Sequence, residues 1–268
     1  MKQKCKRNGC YEPADCRHGY CVKHCPQRHN HRLLSYSVRS TPKDSSPHVG
    51  VEIEVEFPTI QDRDRALPLK AHHDGSLPQN CSAEFKLLAK ADKIVKKSME
   101  FANELWTRRA RATRRCGLHV HLDMRQVTKQ RIAEAMTWFK ATQETWFKLM
   151  PPSRRENDYV KKLDSINYTE HYTWAHLTPY KTLEVRLHSS TTNPYKLEGW
   201  LTALIHLQRK IHDSAYVFPA EGTSENDAFW AVFADCPKTG KEYLQTRKSQ
   251  NGIVNDYAFN PIEETNAA

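Results

Sequence analysis

Residues 48–57, HVGVEIEVEF, alternate strictly. Val51, Ile53, Val55 and Phe57 fall on one side of an extended chain, and Glu52, Glu54 and Glu56 fall on the other. A period of two predicts a half-buried strand. LKAHHDGSL and CSAEFKLL predict shorter strands, with a turn at Asp74-Gly75. From residue 91 to about 110 the spacing becomes helical, with Ile94, Val95, Met99, Ala102, Leu105 and Trp106 as the stripe and the arginine-rich RRARATRR at its end. RCGLHVHLDM, residues 115–124, returns to alternation and sets His119, His121 and Asp123 together on one side.

A second helix is predicted after Thr128, with Ile132, Ala135, Phe139, Trp146 and Met150 facing a core and Pro151-Pro152 ending it. TLEVRLHS, residues 182–189, reads as another alternating strand: Leu183, Val185 and Leu187 inward, Glu184, Arg186 and His188 the other way. A third helix is predicted from Pro194 to Ala215, on the stripe Leu197, Leu201, Leu204, Ile205 and Ile211. The final stretch holds an apolar patch, Phe229, Trp230, Val232 and Phe233, and then a polar tail.

Hairpin-like strands followed by strands separated by helices predict an α+β fold. Its mostly antiparallel sheet carries helices on one face and polar residues on the other. The domain reading is a small module over residues 1–30, a Pro-, Ser- and charge-rich linker over 31–48, a main domain over 49–216, and a helical extension of that domain with its tail over 217–268. No internal repeat is seen.

Charge changes this picture in one respect. A net charge of +10 over 268 residues favours polyanionic partners, such as nucleic acid or nucleotide phosphates. No apolar run approaches a membrane span. The opening MKQKCKR has no hydrophobic stretch behind it, so it does not read as a secretory signal, and the expected setting is cytoplasmic and reducing. Cysteines there are better read as thiols or metal ligands than as disulfides.

Five of the eight cysteines lie in CKRNGCYEPADCRHGYCVKHC, residues 5–25. Zinc takes four soft ligands as a tetrahedron, and short turns supply them in pairs. Cys5 with Cys10 makes one pair, and Cys21 with His24 the other; Cys16 or Cys25 can replace a member of that set. The stretch resembles zinc knuckles of phage and bacterial proteins. A segment this small has too little core to fold without its Zn²⁺. Such a module would suit contact with nucleic acid or with another protein.

Three glutamates at alternate positions of one strand repel one another, and nothing within the strand relieves that. A divalent cation would. Carboxylates with an occasional imidazole suit Mg²⁺ or Mn²⁺. Each motif alone is ordinary, but their order along one domain is not. E-x-E, D-G-S, a lone glutamate, H-x-H and E-x-R follow one another on predicted strands.

On these residues the chain resembles the amidoligases, carboxylate–amine ligases of the glutamine synthetase-like superfamily. The matching segments are GVEIEVE, DGSL, AEF, CGLHVHLD, SRRENDYV, SINY and TLEVRLHSSTTN, over roughly residues 49–207. The resemblance implies a sheet-lined funnel that holds two or three Mg²⁺ ions and ATP. It implies Glu52, Glu54, Glu84, His119 and Glu184 as metal ligands and His121 against ATP or substrate. Arg186 would meet the transferring phosphate, Arg154 or Arg155 a phosphate or substrate carboxylate, and Asp74 and Ser76 would lie near the amine. There is one departure: many relatives follow the lone glutamate with Ser-Pro, whereas here EFKLL puts Lys86 and Leu87 nearby.

The implied activity is ATP-dependent amide or isopeptide formation through an acyl phosphate. The carboxylate and amine would belong to a peptide, a polyamine, a protein side chain or a modified base. Two other classes compete. H-x-H with a following acid also opens metallohydrolase barrels, but such a barrel needs about 250 residues, and here the motif comes nearly halfway along the chain. The basic charge and Arg108, Arg109, Arg111, Arg114 and Arg115 fit a zinc-containing nucleic-acid-binding protein without catalysis. The same arginines also read as a solvated helix end.

Overall fold

The computed structural model describes residues 46–66, 71–72, 77, 81–155, 157–164, 169–219 and 222–250. The zinc reading at Cys5, Cys10, Cys21 and His24 lies outside the described residues, as do Asp74, Ser76 and the SINY segment.

Six strands form one sheet in the order β2-β3-β1-β4-β6-β5. They are β1 (His48–Glu56), β2 (Ala71–His72), β3 (Ser82–Lys90), β4 (Gly117–Asp123), β5 (Ala175–Leu177) and β6 (Thr182–Ser189). Every pairing is antiparallel. The helices are α1 (Ile60–Ala66), α2 (Ala91–Thr107), α3 (Lys129–Ala141), α4 (Gln143–Lys148), α5 (Pro152–Arg155), α6 (Pro194–His212), α7 (Glu225–Val232) and α8 (Lys238–Ser249). This is the expected α+β architecture. An open antiparallel sheet also rules out the parallel barrel that the metallohydrolase reading requires.

The sheet's apolar face is made by Val51, Ile53 and Val55 of β1, Phe85 of β3, Leu118, Val120 and Leu122 of β4, and Val185 of β6, all buried. Branched side chains pack well on a pleated surface. Helices α2 and α6 cover this face, and α8 packs on α6. Side-chain caps mark where α6 and α3 begin. Asn193 accepts hydrogen bonds from the backbone N–H groups of Tyr195 and Lys196 just ahead of Pro194, and Thr128 accepts one from that of Arg131. No helix among the described residues is long and apolar enough to cross a membrane.

Four expectations need correction. The helix after Thr128 does not run through to Pro151. It breaks at Thr142, whose Oγ1 donates back to the Trp138 carbonyl at 2.8 Å, and resumes as α4. The break turns Trp146 into an aromatic cluster with Phe139, Trp174, Trp200 and Phe229, at centroid distances from 5.0 to 5.9 Å. The third helix stops at His212, not Ala215. The stripe of α2 is rotated from the expected one: Ser98 is buried, whereas Met99 and Trp106 are only half-buried.

The fourth correction concerns β6. Its register with β4 shifts between Leu118 and Val120, so Arg186 and Leu187 share the space opposite His119. That extra residue inverts the phase beyond it. His188 comes opposite Leu118 and turns to the helical side, where its Nε2 lies 2.5 Å from the Tyr243 hydroxyl of α8 and its ring 4.9 Å from that of Trp200. It therefore does not share a face with Glu184 and Arg186.

The arginine run is largely solvated, as expected of a helix end, but three of its members are also tied to acidic partners. Arg108 pairs with Glu104 at 2.7 Å, Arg109 with Asp62 at 3.6 Å and Arg115 with Glu56 at 3.0 Å. Arg109 sits at φ 64°, a conformation that a non-glycine residue adopts at some cost. Backbone bonds of 2.8 Å in both directions between Glu56 and Arg111 clamp the segment to β1. Glu56 is thereby drawn away from Glu52 and Glu54.

A buried carboxylate–imidazole cluster on the polar face

The second face of the sheet is polar, yet Glu52, Glu54, Glu84, His119 and Glu184 are each no more than 8% exposed. Register brings them together. Glu54 lies opposite Glu84, Glu52 between Lys86 and His119, and Glu184 between His121 and His176. Five neighbouring strands thus each place one or two ionisable groups on one surface, as alternation requires.

Glu52 stands near the centre. One carboxylate oxygen is 2.8 Å from Lys86 Nζ and 3.4 Å from His121 Nε2, and the other is 3.3 Å from His119 Nδ1. Lys86 Nζ is also 3.0 Å from Glu84. Glu54 accepts the Gly117 backbone N–H at 2.6 Å and lies 3.8 Å from His119 Nε2. Glu184 presents one oxygen to Arg186 at 2.6 Å and the other to His176 Nε2 at 3.2 Å. His121 is oriented from behind, its Nδ1 3.2 Å from Thr182 Oγ1, which in turn lies 2.8 Å from Thr178 Oγ1.

Protonation follows from these contacts. Burial alone would raise the pKa of Glu52, but His121, His119 and Lys86 hold it well below the usual carboxylate range. Burial acts the same way on Glu184 and is overridden by His121, His176, His119 and Arg186, so its pKa is depressed. Glu84 goes the other way. Burial and the Glu52 charge push it well above the ordinary value, and Lys86 only partly offsets them. Burial disfavours a charged His121, yet Glu184 and Glu52 raise its pKa.

Among the described residues, three groups of side chains place their ligand atoms within 4.8 Å of one another: Glu54, Glu84 and His119; Glu52, His119 and Glu184; and His171, His176 and Glu184. Four buried carboxylates face two permanent cations, Lys86 and Arg186. His176 Nδ1 is buried without a hydrogen-bond partner, while His121 Nε2 meets Glu52 at 3.4 Å and Glu184 at 3.9 Å. Buried carboxylates beside an unpartnered imidazole nitrogen are groups that divalent cations would satisfy.

The structure thus brings together Glu52, Glu54, Glu84, His119, His121, Glu184 and Arg186. It does not bring Arg155, whose guanidinium reaches the Met150 and Lys148 carbonyls at the end of α4. Arg154 is buried beside the cluster and donates to the Leu187 carbonyl at 3.3 Å and the Arg186 carbonyl at 2.7 Å, so it braces β6 from the side. Asp123 lies at the far end of β4, pairing with Arg125 at 2.5 Å.

Residues 89–174, from the end of β3 to the approach to β5, match the family described as "Putative amidoligase enzyme". Over that stretch the chain is amidoligase-like. The amidoligase-like segment contains His119 and His121 but stops short of Glu184 and Arg186 on one side and of Glu52, Glu54 and Glu84 on the other. A solved structure described as "Apo GmaS without ligand" is similar with a TM-score of 0.46 and 12% identity, over 91% of this chain and 77% of that one. No curated protein matches the chain.

Three participants were missed by sequence reasoning. His176 sits on a strand of three residues, too short to show a period. Lys86 was noted only as a departure, although its ammonium bridges two of the carboxylates. Gly117 is required by space: a Cβ there would lie 2.7 Å from His119 Nε2 and 3.3 Å from Arg154. Gly117→Ala is therefore expected to push the His119 ring aside. Calorimetric titration with Mn²⁺ should show affinity falling by roughly ten- to a hundred-fold, as when support for a metal ligand is lost. Unchanged Mn²⁺ affinity would mean that His119 holds no metal.

Proposed function

We propose that the protein is an ATP-dependent carboxylate–amine ligase that forms an amide or isopeptide bond through an acyl phosphate and uses Mg²⁺ or Mn²⁺. The observation that carries this reading is the convergence of Glu52, Glu54, Glu84, His119 and Glu184 on one buried face, with Arg186 among them. Isolated carboxylates are not buried in such numbers without cations to hold. A phosphoryl-transfer site needs cations and a fixed guanidinium in one place.

A carboxylate does not condense with an amine in neutral water, because oxide is too poor a leaving group. In the proposed reaction a carboxylate oxygen of the substrate attacks the γ-phosphorus of ATP, and ADP departs. The amine nitrogen then attacks the acyl carbon, the carbon–oxygen bond to phosphate breaks, and the nitrogen loses a proton. Divalent cations held by Glu52, Glu54, Glu84, His119 and Glu184 would neutralise phosphate charge. Arg186 donates to the transferring phosphoryl group from a side chain anchored on Glu184. His121, fixed by Thr182, faces nucleotide or substrate. Arg154 keeps β6 in place behind Arg186. Asp74 is the proposed acceptor of the amine proton, and Ser76 a proposed substrate-binding residue. The reaction belongs in the cytoplasm, where ATP and Mg²⁺ are supplied.

A screen of carboxylates and amines for ADP release with Mg²⁺, followed by the product mass, tests the reading. Candidate pools are peptides, polyamines, protein side chains and modified bases. Amine-dependent ADP release should fall about a hundred- to a thousand-fold in Glu54→Ala and in Arg186→Ala, with both variants folded. Full activity in both removes the proposal.

We also propose that residues 1–30 hold a structural Zn²⁺ through Cys5, Cys10, Cys21 and His24 and tether the ligase to nucleic acid or protein. Metal analysis should find the zinc content lowered by about one ion per chain on deletion of residues 1–30 and not lowered by Glu52→Gln. Zinc content unchanged by that deletion would refute it.

A further inference from the structure

The three metal-capable groups differ in kind. Two contain a single imidazole and two carboxylates, a set suited to hard ions that prefer oxygen. The third, His171, His176 and Glu184, contains two imidazoles and one carboxylate. Imidazole nitrogen favours borderline d-block ions over Mg²⁺.

Geometry supports the distinction. His176 is 2% exposed and its Nε2 lies 3.2 Å from Glu184 Oε2. Two ligands on a tetrahedral zinc ion are roughly 3.3 Å apart, which follows from metal–ligand lengths near 2.0–2.1 Å. The pair therefore already has the bite of a zinc site. Nδ1, on the other edge of the ring, has no hydrogen-bond partner, so no acceptor fixes which tautomer the ring adopts. Glu184 divides its oxygens: Arg186, His119 and His121 approach Oε1, and Oε2 is left to His176. The outer group can thus bind without taking the oxygen that the inner group uses.

His171 completes the set from the solvent side. Its ring lies 5.5 Å from that of His176, nearly perpendicular at 80°, and the residue is exposed. An exposed ring can turn inward over the remaining distance, and the outward side of the ion stays open to water or ligand.

We infer that His171, His176 and Glu184 form a separate site for a borderline d-block divalent ion of the Zn²⁺ class, at the solvent-facing end of the cluster and with an open coordination position. The inference goes beyond the ligase proposal and requires neither ATP nor amide formation.

The test uses the full chain, stripped of metal and titrated with Co²⁺ in a large excess of Mg²⁺. Wild type should bind about one equivalent of Co²⁺ with visible d–d absorption beyond whatever a cysteine-rich site takes up. That increment should be lost, with affinity down at least about a hundred-fold, in His171→Ala and in His176→Ala, but kept in Glu54→Gln. His171 is exposed, so its replacement leaves the fold intact even if that of His176 does not; circular dichroism checks both. Co²⁺ spectra and stoichiometry identical to wild type in a folded His171→Ala overturn the inference. Absence of ADP release with the Co²⁺ increment intact would count against the ligase reading alone.

Discussion

Glu184→Gln is expected to reduce amine-dependent ADP release at least about a thousand-fold, more than any other single replacement in the cluster, and to destabilise the metal-free protein as well. Glu184 belongs to two of the three metal-capable groups and is the anchor of Arg186, 2.6 Å away. Glutamine preserves shape and one carbonyl oxygen, but it removes the charge and turns an N–H₂ towards Arg186 or His176. Two ion positions and the phosphate-facing guanidinium are then weakened together, which exceeds the hundred- to thousand-fold typical of one lost donor. The effect on stability follows from the pKa. The folded surroundings hold Glu184 below the ordinary carboxylate range, so its ionised form contributes stability above that range. That contribution is lost as pH falls through the depressed value. The melting temperature of Glu184→Gln without metal should therefore lie below wild type at neutral pH, and the gap should narrow in acid. Near-normal turnover with an unchanged melting temperature would show that Glu184 is not the hub of the site.

How much of this hub could be read from the chain depends on strand length and regularity. Over 48–57 and 117–123 the alternation is unbroken, so the polar set Glu52, Glu54, His119 and His121 was legible. Glu184 and Arg186 were legible too, but His188 was wrongly placed with them. The register shift on β6 adds a residue that the apolar–polar pattern does not reveal, because Leu187 and His188 are both buried whichever way they face. His176 was invisible, since a strand of three residues has no period to detect. The break at Thr142 escaped for the opposite reason: apolar spacing continues through it into α4, and only a side chain bonding to its own helix marks the interruption. Pairing order was also beyond reach. Nothing local says that β1 lies between β3 and β4, and it is that order which sets Glu52 between Lys86 and His119.

Lys86 shows what such neighbours decide. Its ammonium lies 2.8 Å from Glu52 and 3.0 Å from Glu84, at a side chain only 21% exposed. Lys86 thus supplies in the chain itself part of the positive charge that the carboxylates need. Removing one partner of a largely buried ion pair leaves uncompensated charge, so Lys86→Ala is expected to cost about 3 kcal/mol in the metal-free protein at neutral pH. The cost should depend on pH with a definite sign. Burial and Glu52 already raise the pKa of Glu84, and without Lys86 it rises further. The folded state then holds a proton that the unfolded chain has released, so stability falls as pH climbs from the ordinary carboxylate range through the raised value. Below that range the variant and wild type should converge. Two rescues follow from the same cause. Glu84→Gln in the Lys86→Ala background removes the surplus charge and should restore most of the lost stability, and a millimolar divalent cation should raise the melting temperature of Lys86→Ala more than that of wild type. Urea unfolding of the four proteins at acidic and neutral pH measures the cycle. A loss equal at both pH values and indifferent to Glu84→Gln would mean that Lys86 acts through packing, and that its charge is not what holds Glu52 and Glu84 together.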